Sequence, residues 1–215
     1  MAQVPTGTIF SVATAFGTDK TITAITNASV AVVSCVAHGF SNGDIVEVTS
    51  GWGKLNKRAF RIATVSADSF QLEGQDTTNT GFYPTGSSAG SARKVTTWQQ
   101  LEKIMNPQSN GGDPKTVNYK YIESDVEYSI NDGFSATSYT LELDADAIGG
   151  AGYNALKSLT EVQTDTIMRM QLRSGSPIYL PCKVALNENV KLTDGQINRV
   201  TAAFNGNNRA TRYAA

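Results

Sequence analysis

The sequence predicts a mainly β protein: an antiparallel β-sandwich or barrel-like core with one α-helix, plus a small inserted all-β domain. Three observations carry this. Residues 138–144 alternate, with Tyr139, Leu141 and Leu143 set against Ser138, Thr140, Glu142 and Asp144. A period of two buries one face and wets the other. Residues 21–94 hold short apolar runs broken every few positions by Gly, Asn, Asp and Ser, the texture of a small barrel or sandwich. Residues 153–160 give the clearest helical spacing, with Tyr153, Ala155, Leu156 and Leu159 on one face.

In chain order, residues 1–7 read as an extended arm and residues 8–15 as a first strand. Residues 16–20 form a turn or linker. Strands are then expected at 22–25, 30–36, 45–48, 58–65 and 70–72. The turn-rich stretch 38–44, His-Gly-Phe-Ser-Asn-Gly-Asp, sits among them. Residues 76–92 read as a long loop. Residues 95–106 suit a bent or bulged strand, with a short helix as the alternative. Residues 111–143 organise the second half as a hairpin with a long arm: a Gly-Gly-Asp-Pro turn, a strand at 115–122, a charged arm at 123–133, and the closing strand at 138–144. The arm is expected to stay disordered until a neighbour orders it. After the helix, strands are expected at 166–173, 178–186 with a bent continuation to 193, and 197–204. The domain reading is a discontinuous core, 1–20 and 94–215, with the module 21–93 inserted after its first strand.

The chain has 215 residues, 40% hydrophobic and 17% charged, with a formal net charge of −1. That composition suits one or two ordinary domains. It supplies no basic excess for neutralising phosphates. No apolar run reaches the length of a membrane span. The first ten residues lack the basic and apolar regions of a secretory signal, so maturation in a reducing cytoplasm is expected. Cys35 and Cys182 each lie in an apolar setting and read as buried free thiols.

Catalytic chemistry finds no foothold in the sequence. His38 is the single histidine, and its neighbours form a turn without the nucleophile and carboxylate of a triad. Glu123, Asp125, Glu127 and Asp132 lack the spacing and central glycine of a calcium loop. Gly86 to Gly90 lacks the Lys-Ser/Thr of a phosphate loop. No catalytic, cofactor or metal residue is therefore assigned. The acidic arm instead suits pairing with basic residues of another subunit, drawn from Lys103, Arg169, Arg173, Lys183, Lys191, Arg199 and Arg209. Glu142 and Asp144 lie on the wet face of the 138–144 strand, and Glu102 is a third candidate. Arg199 and Thr201 share the wet face of the last strand.

The order of these features resembles the major tail tube protein of long, flexible-tailed bacteriophages. The Gly-Gly-Asp-Pro turn at 111–114, the polar arm from Asp125 to Asp132, the 138–144 strand, the helix at 150–159 and the strands ending at Phe204 carry the resemblance. It covers residues 1–20 and 94–215. Residues 37–44, Leu55-Asn56 and 70–76 resemble a small β-barrel module common in phage structural proteins. The resemblance implies hexameric rings that stack into a hollow tube, with four strands per subunit in the inner wall and a loop or hairpin reaching the next ring. It also implies an acidic lumen through which DNA slides without specific binding. Glu102, Glu142 and Asp144 are then lumen candidates, and Glu123, Asp125, Glu127 and Asp132 inter-ring candidates. Implied partners are further copies of the chain, a tape measure protein inside, and terminator and tip proteins at the ends. The implied location is the virion tail, assembled in the host bacterial cytoplasm. The competing reading is a monomeric adhesin whose inserted module binds a cell-surface glycan through Trp52, Phe82 and Tyr83.

Overall fold

A computed structural model describes residues 5–215. Residues 1–4, part of the expected N-terminal arm, lie outside the described residues. The first strand, β1 (Ile9–Phe16), turns Phe10 and Val12 into the core and leaves Ile9 exposed on the opposite side. Six short strands follow: β2 (Lys20–Ile22), β3 (Ala24–Ile25), β4 (Val32–Ser34), β5 (Ile45–Ser50), β6 (Arg58–Ala63) and β7 (Ser69–Leu72). They enclose Trp52, Leu55, Phe60, Phe70 and Leu72, all essentially buried. Each such side chain contributes about 1.5–3 kcal/mol of transfer free energy.

The next strand, β8 (Gly90–Leu101), is twelve residues long. Its first half pairs with β2 and β5, and its second half with β1. Register shifts opposite Ala15 and Phe16 supply the bulge expected near residue 95. The expected helical alternative does not form. The strand begins at Gly90, which takes the last residues of the expected 76–92 loop.

The second half contains β9 (Gln108–Asn110), β10 (Pro114–Tyr119), β11 (Tyr128–Phe134) and β12 (Ser138–Asp144). A single 3-10 turn follows (Ala145–Ala147), then α1 (Ala151–Val162). The chain finishes with β13 (Thr166–Gln171), β14 (Pro177–Lys191), β15 (Arg199–Gly206) and β16 (Thr211–Arg212). Every pairing is antiparallel. One curled sheet runs β3-β4-β7-β6-β5-β8-β1-β13-β14-β15-β12-β9, and β10 and β11 form a separate two-stranded sheet.

Two expectations for residues 111–143 need correction. The 138–144 strand does not close a hairpin with the 115–122 strand; β12 pairs with β15 and β9. The arm is not wholly irregular either. Its second half is β11, which pairs with β10 from Pro114↔Phe134 to Tyr119↔Tyr128, with one register shift between Lys115 and Thr116. The reason is local: Val117, Tyr119, Tyr128 and Ile130 are β-formers that fall opposite one another in this register.

The core lies between the inner face of β1, β12, β13, β14 and β15 and the helix. Leu141, Leu143, Met168, Leu180, Val184, Val200, Ala202 and Phe204 meet Tyr153 and Leu156 of α1. Gly152 lets α1 approach β8 closely, since a Cβ there would lie 2.8 Å from the Gln100 carbonyl oxygen. Gln163 ends the helix in the left-handed conformation, its N–H returning to the Leu159 carbonyl. Thr160 hydroxyl donates to the Leu156 carbonyl and accepts from the Leu186 N–H, both at 2.8 Å, which pins α1 to β14.

A third cluster, Ala13, Ile45, Ala59, Val95, Ile167, Tyr179 and Tyr213, joins the two halves. Polar contacts surround it. Asp165 receives Lys57 at 2.7 Å and Asn207 at 3.0 Å. The Asn208 side chain donates to the carbonyls of Gly53 and Asn56.

Candidate functional site

His38 and the two cysteines are buried in the fold. His38 is buried against Phe40 and Phe70, and its Nδ1 accepts the Phe40 N–H at 3.0 Å. It holds the turn, as its sequence neighbours suggest. Cys35 and Cys182 are buried free thiols. Burial pushes the Cys182 thiol up to about 12, which leaves no thiolate at neutral pH. Among the described residues no group of three or more His, Cys, Asp or Glu side chains is placed to hold a metal, and no helix is long and apolar enough to cross a membrane.

The outer face of the core sheet follows from the register. Ser138, Thr140, Glu142 and Asp144 of β12 stand opposite Asn205, Ala203, Thr201 and Arg199 of β15. Lys183, Ala185 and Asn187 of β14 continue the same face. The sequence places Glu142 and Asp144 on this face, and the structure does so too. Neither is a bare charge. Glu142 accepts from Arg199 at 2.9 Å and from Lys191 and Asn106 at 3.4 Å. Partial burial would raise its pKa, but the Asn106 hydrogen bond and the Arg199 and Lys191 charges outweigh that and hold the carboxyl below its usual range. The Asp144 carboxylate accepts the Asp146 N–H and caps the short 3-10 turn. Glu102 precedes Lys103, whose carbonyl accepts the Asp144 N–H. Glu102 lies beyond the end of β8, exposed, beside the N-terminus of α1.

The β10–β11 hairpin carries the remaining candidates. Glu123, Asp125 and Glu127 lie in its tip, residues 120–127, and are exposed. Asp132 is also exposed and is the extra residue of a bulge between the Lys115↔Gly133 and Thr116↔Asn131 pairs. The register gives the hairpin two unlike faces. Thr116, Asn118, Ser129 and Asn131 form one. Val117, Tyr119, Tyr128 and Ile130 form the other, with Val117 53% and Ile130 57% exposed. Tyr119 stacks on Tyr128 at 5.4 Å between centroids, and Tyr121 meets both edge-on. Ile122 in the tip is fully exposed. Sequence reasoning placed the acidic residues here but missed this apolar face. The alternation Val117-Tyr119-Tyr121 is its visible signal.

Five of the seven basic residues suggested as partners for the arm divide into two groups, while Lys103 donates to the Asp146 carbonyl and Arg173 makes no ion pair among the described residues. Lys191 and Arg199 are used by Glu142, and Lys183 lies 3.9 Å from Asp165. Arg169 lies over the Trp98 ring and donates to the Ser11 hydroxyl. Arg209 makes no ion pair among the described residues. Its guanidinium lies 3.8 Å from the Phe134 ring centroid, at the wall of a cleft of about 930 Å³. Lys54, Arg58 and Phe82 also line this cleft.

The aromatic residues considered for glycan stacking are mostly unavailable. Trp52 and Tyr83 are buried against each other, 5.2 Å between centroids, and Trp52 Nε1 donates to the Pro84 carbonyl. Only Phe82 of the three is exposed, and Lys54 lies over its ring.

No curated protein matches the chain. A family model described as phage tail tube protein matches residues 50–215, more than half of the chain, and runs from the end of β5 through β16. The mainly β fold, the exposed hairpin and this match agree, and the chain belongs to the phage tail tube protein family.

Proposed function

We propose that the protein is the repeating subunit of a phage tail tube, that six copies form a ring, and that stacked rings enclose the channel for DNA. The observation that carries the reading is the hairpin. A two-stranded sheet is marginal in water, and this one stands apart from the main sheet with an apolar face uncovered. A neighbouring copy that covers Val117, Tyr119, Tyr128 and Ile130 removes that cost. Sixfold rings are the arrangement implied by the family resemblance.

In this reading the outer face of β12, β15 and β14 contributes to the channel wall through Glu142 and Asp144. Glu142 is already neutralised by Arg199 and Lys191, so the wall is of mixed sign rather than uniformly acidic. Closely paired charges leave phosphates little net attraction, which suits DNA that passes without being held. A tape measure protein within the channel, terminator and tip proteins at its ends, and assembly in the host cytoplasm complete the proposal. We read residues 21–93 as an inserted module; the separate apolar cluster around Trp52, Phe60 and Phe70 supports this.

Negative-stain microscopy of purified protein tests this reading. Rings or hollow tubes are expected. Replacement of residues 120–127 by Asn-Gly is expected to leave a folded, unpolymerised subunit. A wild-type protein that stays monomeric at high concentration, alone and with other tail components, rules the reading out.

A further inference from the structure

The cleft between the inserted module and the hairpin base collects positive charge without matching negative charge. Lys54 and Arg209 are exposed, and neither makes an ion pair among the described residues. Arg58 donates to the Lys54 carbonyl, Gln75 Oε1 and Thr211 Oγ1, all uncharged acceptors, while its Nε is buried with no partner among the described residues. Burial pulls the Arg58 pKa below the usual arginine value, as expected of a desolvated cation lacking a counter-charge. Asp132 also lines the cleft, but forms no ion pair there among the described residues. Phe82 and Phe134 add exposed apolar surface, 55% and 53% respectively.

The hairpin tip has the opposite character. Glu123, Asp125 and Glu127 are exposed and unpaired among the described residues, and Ile122 and Val126 are exposed beside them. The tip combines carboxylates with apolar side chains; the cleft combines cations with aromatic rings. The tip cannot enter its own cleft while the hairpin is intact. The ladder runs five residue steps from Pro114, at the cleft, to Tyr119, which holds the tip about 17 Å away at roughly 3.4 Å per residue.

We propose that the acidic tip of one subunit docks in the Lys54–Arg58–Arg209 cleft of another copy of the same chain. This rests on the tube reading and deepens it by giving the hairpin a receptor. A tip-to-base contact is heterologous: each copy offers both a plug and a socket, so the contact propagates with a fixed direction. The inserted module then forms one wall of the assembly contact through Lys54, Arg58 and Phe82. Charge complementarity sets partner choice and register here, while the apolar groups supply burial.

A charge-swap experiment on the full chain tests this. One variant carries Lys54→Glu and Arg209→Glu in the cleft. The other carries Glu123→Lys, Asp125→Lys and Glu127→Lys in the tip. All five side chains are exposed, and unchanged circular dichroism and melting confirm that both variants fold. If the cleft variant melts early, Lys54→Gln with Arg209→Gln gives the single-variant loss with less perturbation. Each variant alone is expected to lose tube formation by about tenfold or more, read by sedimentation and microscopy. Mixed one to one they are expected to recover it, because the reversed tip fits the reversed cleft and the unaltered tip fits the unaltered cleft. Asp125→Cys mixed with Arg209→Cys should form a disulfide-linked dimer on oxidation, since both native cysteines are buried. Variants that polymerise like the wild type, or a mixture that fails to recover, overturn the cleft contact while leaving the tube reading intact. Wild-type protein that forms neither rings nor tubes overturns both.

Discussion

The Tyr213 hydroxyl accepts a hydrogen bond from the backbone N–H of Arg61 at 2.8 Å. Third from the C-terminal end of the sequence, Tyr213 thereby grips β6. Its ring is buried between Tyr179 of the core and the Arg61 guanidinium. Burial pushes the hydroxyl up to about 12, so it stays protonated. Tyr213→Ala is expected to cost about 3–5 kcal/mol, the range for deleting a buried aromatic. Tyr213→Phe keeps the ring and orphans the Arg61 N–H, at about 1–3 kcal/mol. Urea denaturation of the two variants separates these contributions; equal losses rule out this division.

Asp165 is the charged centre of the same junction. Burial raises its pKa, but the Lys57 and Asn207 hydrogen bonds and the charges of Lys57 and Lys183 prevail and hold it below its usual value. A carboxyl with a depressed folded pKa stabilises above its unfolded pKa and loses that contribution as pH falls through the folded value. Asp165→Asn is therefore expected to lower the melting temperature at neutral pH by a few degrees, about 1 kcal/mol for a partly exposed pair. The gap between wild type and variant should close below about pH 4, near the ordinary aspartate pKa. A gap that widens on acidification contradicts the assignment.

Gly111 occupies a position closed to other residues. Its φ is +78°, and a Cβ would lie 1.9 Å from the Ala136 carbonyl oxygen. Gly111→Ala must displace the irregular segment that leads into β12, at an expected cost of about 1–3 kcal/mol from backbone strain. Gly53 offers a control, with open space at its Cβ and no positive φ; Gly53→Ala should change stability by no more than about 0.5 kcal/mol. Thermal melts of the two variants make the comparison, and a tolerant Gly111 would contradict the close approach.

Ile122 touches nothing that its removal would disturb. Ile122→Asp should leave subunit stability within about 0.5 kcal/mol of wild type while abolishing polymerisation, because it places a charge where an apolar contact is required. Sedimentation paired with a melt reads both quantities. Unimpaired tubes would show that the tip remains in water.

The sequence made the core strands legible wherever one face is dry. The 138–144 alternation, the Met168–Met170 spacing and the Val200–Ala202–Phe204 face all appear as expected. The helix was legible for the same reason, through Tyr153 and Leu156. Residues 111–143 were misread because strand pairing is non-local. Nothing within the 138–144 strand states that its partner lies at residues 199–205 rather than 115–122. The charges in 123–133 also suggested disorder, although Tyr128 and Ile130 favour pairing with Tyr119 and Val117. At the candidate site, Glu142 and Asp144 were placed on the correct face, but their ties to Arg199, Lys191 and the Asp146 N–H depend on three-dimensional register and turn geometry.

The continuity of β8 has a mechanical consequence. One twelve-residue strand is hydrogen-bonded to module strands at its start and to β1 at its end. A load applied along this strand meets its antiparallel bonds in shear, many at once, instead of peeling them one by one. Tension on β2 or β5 therefore passes directly into β1 along a single strand.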